Sequence, residues 1–218
     1  MSSRVWNDVD RYLSETLVQP DAMLEVALVA SDAAGLPPIN VSPTHGKLLW
    51  MLARLVSARR ILEIGTLGGY STIWLARGLA SGGQLVTLEA VEKHAAVARK
   101  NIANARLASM VEIRVGKALD TLPGIEGPID LAFIDADKQS NPEYFQWALR
   151  LSHPGSVIVV DNVVRDGKVI DAKSRDASVL GVRRLNELIA QERRVSATAI
   201  QTVGVKGYDG FTIALVLE

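Results

Sequence analysis

The chain has 218 residues, none of them cysteine, and its 24 Lys plus Arg balance 24 Asp plus Glu, so the formal charge at pH 7 is zero. That length suits one α/β domain whose core needs no staples, and the missing thiols exclude disulfides, thiolate zinc sites and cysteine nucleophiles. The balanced charge argues against a general polyanion binder, so no nucleic-acid partner is expected.

Residues 1–18 are polar and charged, without the apolar centre of a signal peptide. Helical patterns occupy 5–18, 21–34 and 43–57, the third opening on Ser42 as N-cap with Pro43 behind it. Gly35-Leu36-Pro37-Pro38 breaks the chain between the second and third. The more apolar stretches, 22–30 and 48–56, are interrupted by Glu25 and Arg54 and are too short to span a bilayer. No membrane partner is expected, and the cytoplasm is the simplest location.

From residue 60 the pattern changes to short apolar runs at 60–64, 84–88, 111–115, 129–134 and 156–160. Helical patterns at 70–81, 91–106, 141–151 and 178–192 are interleaved with them. Near-continuous apolar runs alternating with helices predict a parallel sheet covered on both faces. Pro154-Gly155 is expected to separate the 141–151 helix from the next strand. The runs at 197–203 and 211–217 have no room for a crossover helix between them, so they should be antiparallel, with Asp209-Gly210 as the turn. The expectation is a single domain over 1–218, with a helical N-terminal segment (1–40) and a core (41–218). Its fold is α/β and Rossmann-like: a seven-stranded, mostly parallel sheet with one antiparallel strand, helices on both faces and extra N-terminal helices. That is the usual shape of the S-adenosylmethionine-dependent methyltransferase fold.

The stretch from Ile61 to Ser71, ILEIGTLGGYS, carries the first chemical signal. A strand runs into a glycine-rich turn that opens a helix, so backbone can approach a ligand closely and the free amides at Tyr70 and Ser71 can face an anionic group. Glu89 ends the following apolar run, where a carboxylate suits a ribose diol. The turn does not spell the dinucleotide pattern G-x-G-x-x-G, because Thr66 and Leu67 separate Gly65 from Gly68. This, with the terminal hairpin, weighs against a NAD-dependent dehydrogenase.

The second signal comes from two strand ends, Asp135-Ala136-Asp137-Lys138 and Asp161-Asn162. Ligands in open α/β sheets sit beyond the carboxyl ends of the strands. Two carboxylates about 4 Å apart repel by roughly 4 kcal/mol at an effective dielectric near 20, so Asp135 and Asp161 call for a cation, a shared proton or a basic side chain. With the Asn162 amide they form an all-oxygen set that favours Mg²⁺, Mn²⁺ or Ca²⁺ over zinc. A binding module without catalysis would have no use for such a set.

In these motifs, and in Ile39-Asn40-Val41-Ser42-Pro43, the chain from about Asp21 onward resembles the cation-dependent O-methyltransferases, the group that includes catechol and caffeoyl-CoA O-methyltransferases. The resemblance implies methyl transfer from S-adenosylmethionine to a small aromatic vicinal diol of catechol, caffeoyl or flavonoid type. It implies that Asp135, Asp161 and Asn162 hold the metal, and that Val41, Glu63, Gly65, Ser71, Glu89, Ala118 and Asp135 surround the cofactor. It makes Lys138 the general base, with Asp135 beside it. Asn141 stands where caffeoyl-CoA enzymes usually carry tyrosine, while Tyr144 keeps the second aromatic of their pattern. The charged segment 163–178 transfers no substrate. A homodimer is implied, to which Trp6, Tyr12 and Leu17 would lend an apolar helical face. His45, His94 and His153 share no metal-binding helical spacing and are assigned to structure, and the four tryptophans to packing.

Overall fold

The computed structural model describes residues 3–218. Helices α1 (Ser3–Leu17), α2 (Ala22–Ala33) and α3 (Pro43–Leu55) precede the first strand. Asp21 caps α2 by accepting the amides of Met23 (2.9 Å) and Leu24 (3.2 Å), and its carboxylate pairs with Arg77. Ser42 caps α3 by accepting the His45 amide at 3.2 Å, with Pro43 in the first turn. Each cap satisfies amides that a helix start leaves without partners.

The alternating part runs β1 (Arg60–Ile64), α4 (Tyr70–Gly78), β2 (Gln84–Glu89), α5 (Glu92–Asn104), β3 (Val111–Val115), α6 (Ala118–Thr121) and β4 (Ile129–Ile134). It continues with α7 (Asn141–Leu151), β5 (Ser152–Asp161), α8 (Ala177–Gln191), β6 (Val195–Gly204) and β7 (Gly207–Val216). The strands form one sheet in the order β3-β2-β1-β4-β5-β7-β6. β1 to β5 pair in parallel, and β7 is antiparallel to both of its neighbours. The order reverses between β1 and β4, which opens a crevice at their carboxyl ends.

Side chains alternate between the two faces of the sheet. Ile61, Leu85, Leu131, Phe133 and Val159 pack against α2, α3, α4 and α5 through Leu24, Leu49, Ile73 and Ile102. Leu62, Leu88, Ala132, Ile134 and Val160 pack on the other face against α6, α7 and α8 through Ala118, Phe145 and Leu185. No helix among the described residues is long and apolar enough to cross a membrane.

Three local expectations are corrected. The helix opening at Tyr70 ends at Gly78, because Leu79 turns to extended backbone (ψ 144°) and its amide bonds back to Ala76 O. Pro154-Gly155 does not separate a helix from a strand. β5 already begins at Ser152, and pairing with β4 jumps from Ile129↔Ser152 to Leu131↔Val157, so His153 to Ser156 form a bulge. A bulge is one of the few places inside a sheet that tolerates proline. Nor is Asp209-Gly210 the hairpin turn. Gly204 pairs with Gly207, which puts Val205-Lys206 at the turn, and Gly210 pairs with Gln201 inside the ladder. Asp209 is taken instead by the loop after β5, where its Oδ1 accepts the amides of Val164 and Arg165 at 2.9 and 3.0 Å.

Candidate active site

A cleft of about 1670 Å³ lies over the carboxyl ends of β1, β2, β4 and β5. β1 enters it through Gly65, whose φ is +103° and whose Cβ, if present, would sit 2.3 Å from the Asp135 carbonyl oxygen. Only glycine allows both that backbone angle and that approach. The exits of β1, β2 and β4 are tied together by Gly65 N donating to Leu88 O at 2.9 Å and Asp135 N donating to Ile64 O at 2.8 Å. A further tie runs from the buried Asn101 of α5, whose Nδ2 donates to Gly68 O at 2.9 Å and to Ala27 O at 3.2 Å.

Glu89, at the end of β2, is buried but lines the cleft. Its Oε2 accepts the amides of Thr66 (3.2 Å) and Leu67 (2.8 Å), and its Oε1 accepts that of Val91 at 2.9 Å. His94 Nδ1 is 3.4 Å from the same carboxylate. The glycine-rich turn is therefore held by the residue that the sequence assigns to the ribose. Val41, Ser71 and Ala118 also line the cleft. Ala118 opens the short helix α6, which the hydrophobic pattern did not resolve because it has only four residues. Glu63 lies deeper. It is fully buried below Ser71 and accepts hydroxyl hydrogen bonds from Ser71 (2.6 Å), Thr72 (2.5 Å) and Thr87 (2.7 Å). Burial pushes its carboxyl up to about 7 despite those three donors.

The ends of β4 and β5 supply the other wall. Asp135, Lys138, Asp161 and Asn162 all line the cleft, as the sequence pattern requires. Lys138 opens a single 3-10 turn before α7 and is buried, with its Nζ 2.6 Å from Asp135 Oδ1. Asp137 points elsewhere, accepting the hydroxyls of Tyr144 and Ser140. Burial raises the Asp161 carboxyl to about 8, and the charge of Asp135 pushes the same way against the opposing pull of Lys138. Asn162 has left-handed backbone (φ 59°), and its amide donates to Asp161 Oδ1 at 2.9 Å.

Among the described residues no three His, Asp or Glu side chains converge as a metal group. A cation here would rest on the two carboxylates, the Asn162 amide oxygen, and oxygens from water or substrate. The donor set fits a hard divalent ion because it is all oxygen.

Among the other cleft residues, His45 and Arg165 were not singled out as site residues by the sequence pattern. His45, in the first turn of α3, stacks on Phe211 with ring centroids 5.1 Å apart and places Nδ1 3.8 Å from Asp161 Oδ2. Burial lowers its pKa, opposed by the charge of Asp135. The available signal was its place just after Ser42-Pro43, at a helix start that points into the cleft. Arg165 follows Asn162 in the segment whose charges gave no substrate. His153, by contrast, lies at the opposite end of the strands, with Nε2 2.9 Å from Asp130 Oδ1.

Residues 14–216 match the family model described as O-methyltransferase. A catechol O-methyltransferase of Niastella koreensis is 52% identical over 99% of this chain and 100% of its own length. A catechol O-methyltransferase of Mycobacterium tuberculosis is 56% identical over 96% of this chain and 95% of its own. The crystal structure of an O-methyltransferase from Bacillus cereus in complex with SAH superposes with a TM-score of 0.97 at 59% identity, covering 99% of this chain and 100% of that one. With a family match spanning nearly all of its sequence and both strand-end clusters facing one cleft, the chain belongs to the O-methyltransferase family.

Proposed function

We propose that the cleft transfers a methyl group from S-adenosylmethionine to one hydroxyl of a small aromatic vicinal diol, with a divalent cation, Mg²⁺ first among the candidates. The observation that carries this reading is the facing of two walls across one cleft: Gly65 and Glu89 on one side, Asp135, Lys138, Asp161 and Asn162 on the other. SAH, bound by the Bacillus cereus relative, is what S-adenosylmethionine becomes when it gives up its methyl group. The catechol activity named for two relatives supports a vicinal diol as acceptor.

The reaction forms an oxygen–carbon bond as a sulfur–carbon bond breaks, and the acceptor hydroxyl must lose its proton. A bound divalent cation favours that ionisation and fixes the direction of the oxygen. Asp135, Asp161 and Asn162 would hold the ion. Glu89 would hold the ribose diol, while Val41, Ser71 and Ala118 enclose the rest of the donor. Ser71 is itself oriented from below by Glu63. Lys138 would take the acceptor proton on Nζ, with Asp135 steadying the side chain at 2.6 Å. Holding donor and acceptor in line accounts for much of the rate such a site can provide. We infer that two copies associate, because Val5, Val9, Tyr12 and Leu17 form an exposed apolar face on α1.

The test is methylation of catechol by the purified protein with S-adenosylmethionine and Mg²⁺, repeated after metal removal with EDTA. Methylated product that disappears with EDTA and returns with Mg²⁺ is expected. Full activity after confirmed metal removal would defeat the metal assignment, and calorimetric binding of NAD in place of S-adenosylmethionine would defeat the donor.

A further inference from the structure

The loop after β5 turns on three left-handed residues that are not glycine: Asn162 (φ 59°), Arg165 (φ 58°) and Asp166 (φ 55°). Asp209 of β7 imposes that path by accepting the amides of Val164 and Arg165. A backbone fixed in this way fixes where the Arg165 side chain begins, and that side chain lines the same cleft as Asp161 and Asn162. The guanidinium that faces Asp209 therefore lies on the acceptor side of the cleft.

That guanidinium is incompletely used. Its Nη1 is 3.7 Å from Asp209 Oδ2, longer than an N–H···O hydrogen bond. Its Nε is removed from solvent and has no hydrogen-bond partner. Buried donors are normally paired, so this guanidinium, its side chain 32% exposed beside the cleft, is not saturated by the protein and keeps donors for an acceptor there. The planar fork of arginine matches the two oxygens of a carboxylate. A second cation, Lys206 of the β6–β7 turn, also lines the cleft, with Nζ donating to Pro38 O at 3.0 Å. Nothing in the catechol ring itself answers these charges.

We propose that Arg165 is a specificity-determining residue that selects acceptors carrying a carboxylate: aromatic vicinal diols whose ring substituent is an acid. Its guanidinium takes the carboxylate while the two hydroxyls face Asp135 and Asp161. This rests on the diol O-methyltransferase reading above.

The test compares catechol with protocatechuate, which is catechol bearing one ring carboxylate. Dissociation constants are measured by calorimetry on protein loaded with SAH and Mg²⁺, for wild type, Arg165→Met and Arg165→Lys. Wild type should bind protocatechuate at least about tenfold more tightly than catechol. Arg165→Met keeps the stem but removes the donors and should abolish that ratio, and Arg165→Lys should restore part of it. In turnover, the lost preference should fall on KM and not on kcat. Equal binding of the two ligands by wild type, or an unchanged ratio in Arg165→Met, overturns the proposal. If Arg165→Met does not fold, Arg165→Gln replaces it with the same expected loss of the ratio. An intact, Arg165-dependent ratio with neither diol methylated supports the selection by Arg165 and counts instead against diol methylation.

Discussion

Glu89 has two tasks that a single substitution can expose. Its carboxylate latches the glycine-rich turn through Thr66 and Leu67, and it faces the cleft where a ribose diol would lie. Glu89→Ala should weaken S-adenosylmethionine binding by about 1.5–3 kcal/mol, the range for hydrogen bonds to a charged group. Calorimetry on the folded variant checks this, and an unchanged dissociation constant removes Glu89 from the site. Lys138 is tested on the chemical step. Lys138→Met should keep both ligands but slow single-turnover methyl transfer by about 10²–10⁴-fold. Part of that loss should return at high pH, where the acceptor ionises without help. Wild-type rates at every pH would exclude Lys138 from the mechanism. Both residues were legible from their strand ends. His45 and Arg165 were not: the lone histidine reads as structural, and the arginine lies in a charged segment that transfers no substrate, until the fold brings both to the cleft.

Among the elements, the β5 bulge shows how a local signal can mislead and still mark something real. Pro154-Gly155 reads as a breaker, yet Asp130 and His153 hold the strand through it. Asp130 Oδ2 accepts the amides of Arg59 and Arg60 at 2.8 Å, and Oδ1 lies 2.9 Å from His153 Nε2, so one carboxylate joins β1, β4 and β5 at their starts. The hydrogen bond to Asp130 raises the pKa of His153. The pKa of Asp130 is lowered by its bonds to His153 and the two amides, which outweigh the opposing effect of burial. The signs follow. Stabilisation from the imidazolium is complete below its unfolded pKa, about 6.5, and is lost as pH rises through the higher folded value. Stabilisation from the carboxylate is present above its unfolded pKa, about 3.9, and is lost as pH falls through the lower folded one. His153→Gln should therefore lower the thermal midpoint near about pH 5.5 and have little effect near about pH 9. A midpoint difference that does not change over that range would show that the pair contributes no charge-dependent stability. The terminal hairpin teaches the same lesson. Asp-Gly is a strong turn dipeptide, but three amides, those of Val164, Arg165 and Gly210, claim the Asp209 side chain, and the turn moves to Val205-Lys206. No local pattern contains that competition, because Val164 lies far from Asp209 in sequence.

For the whole molecule, the order of apolar runs and helices was enough to predict a parallel sheet ended by an antiparallel strand, because period and crossover length are local properties. What surrounds the sheet is less legible. On α1, Val5, Val9, Tyr12 and Leu17 are 45%, 51%, 65% and 66% exposed, apolar side chains that a second copy would cover. The same helix is anchored at the cleft mouth, where Asp10 accepts the Val205 amide at 3.0 Å and the Thr44 hydroxyl at 3.3 Å. The expected outcome is a homodimer by light scattering, converted to monomer by Val9→Asp combined with Leu17→Asp. A wild-type monomer at micromolar concentration would count decisively against it.

At Gly65 main chain meets main chain. Because the missing Cβ brings the exit of β1 against the Asp135 carbonyl, the span between the loop that would receive the methyl donor and the carboxylate that would orient the acceptor is set by main chain alone. The side chains proposed to choose the acceptor, Arg165 and Lys206, stand by contrast on the loop after β5 and the β6–β7 turn, outside the strand exits that make that contact. Substitutions at those side chains should therefore leave the distance the methyl group must cross unchanged. Reaction geometry and substrate range are separable inheritances of this fold.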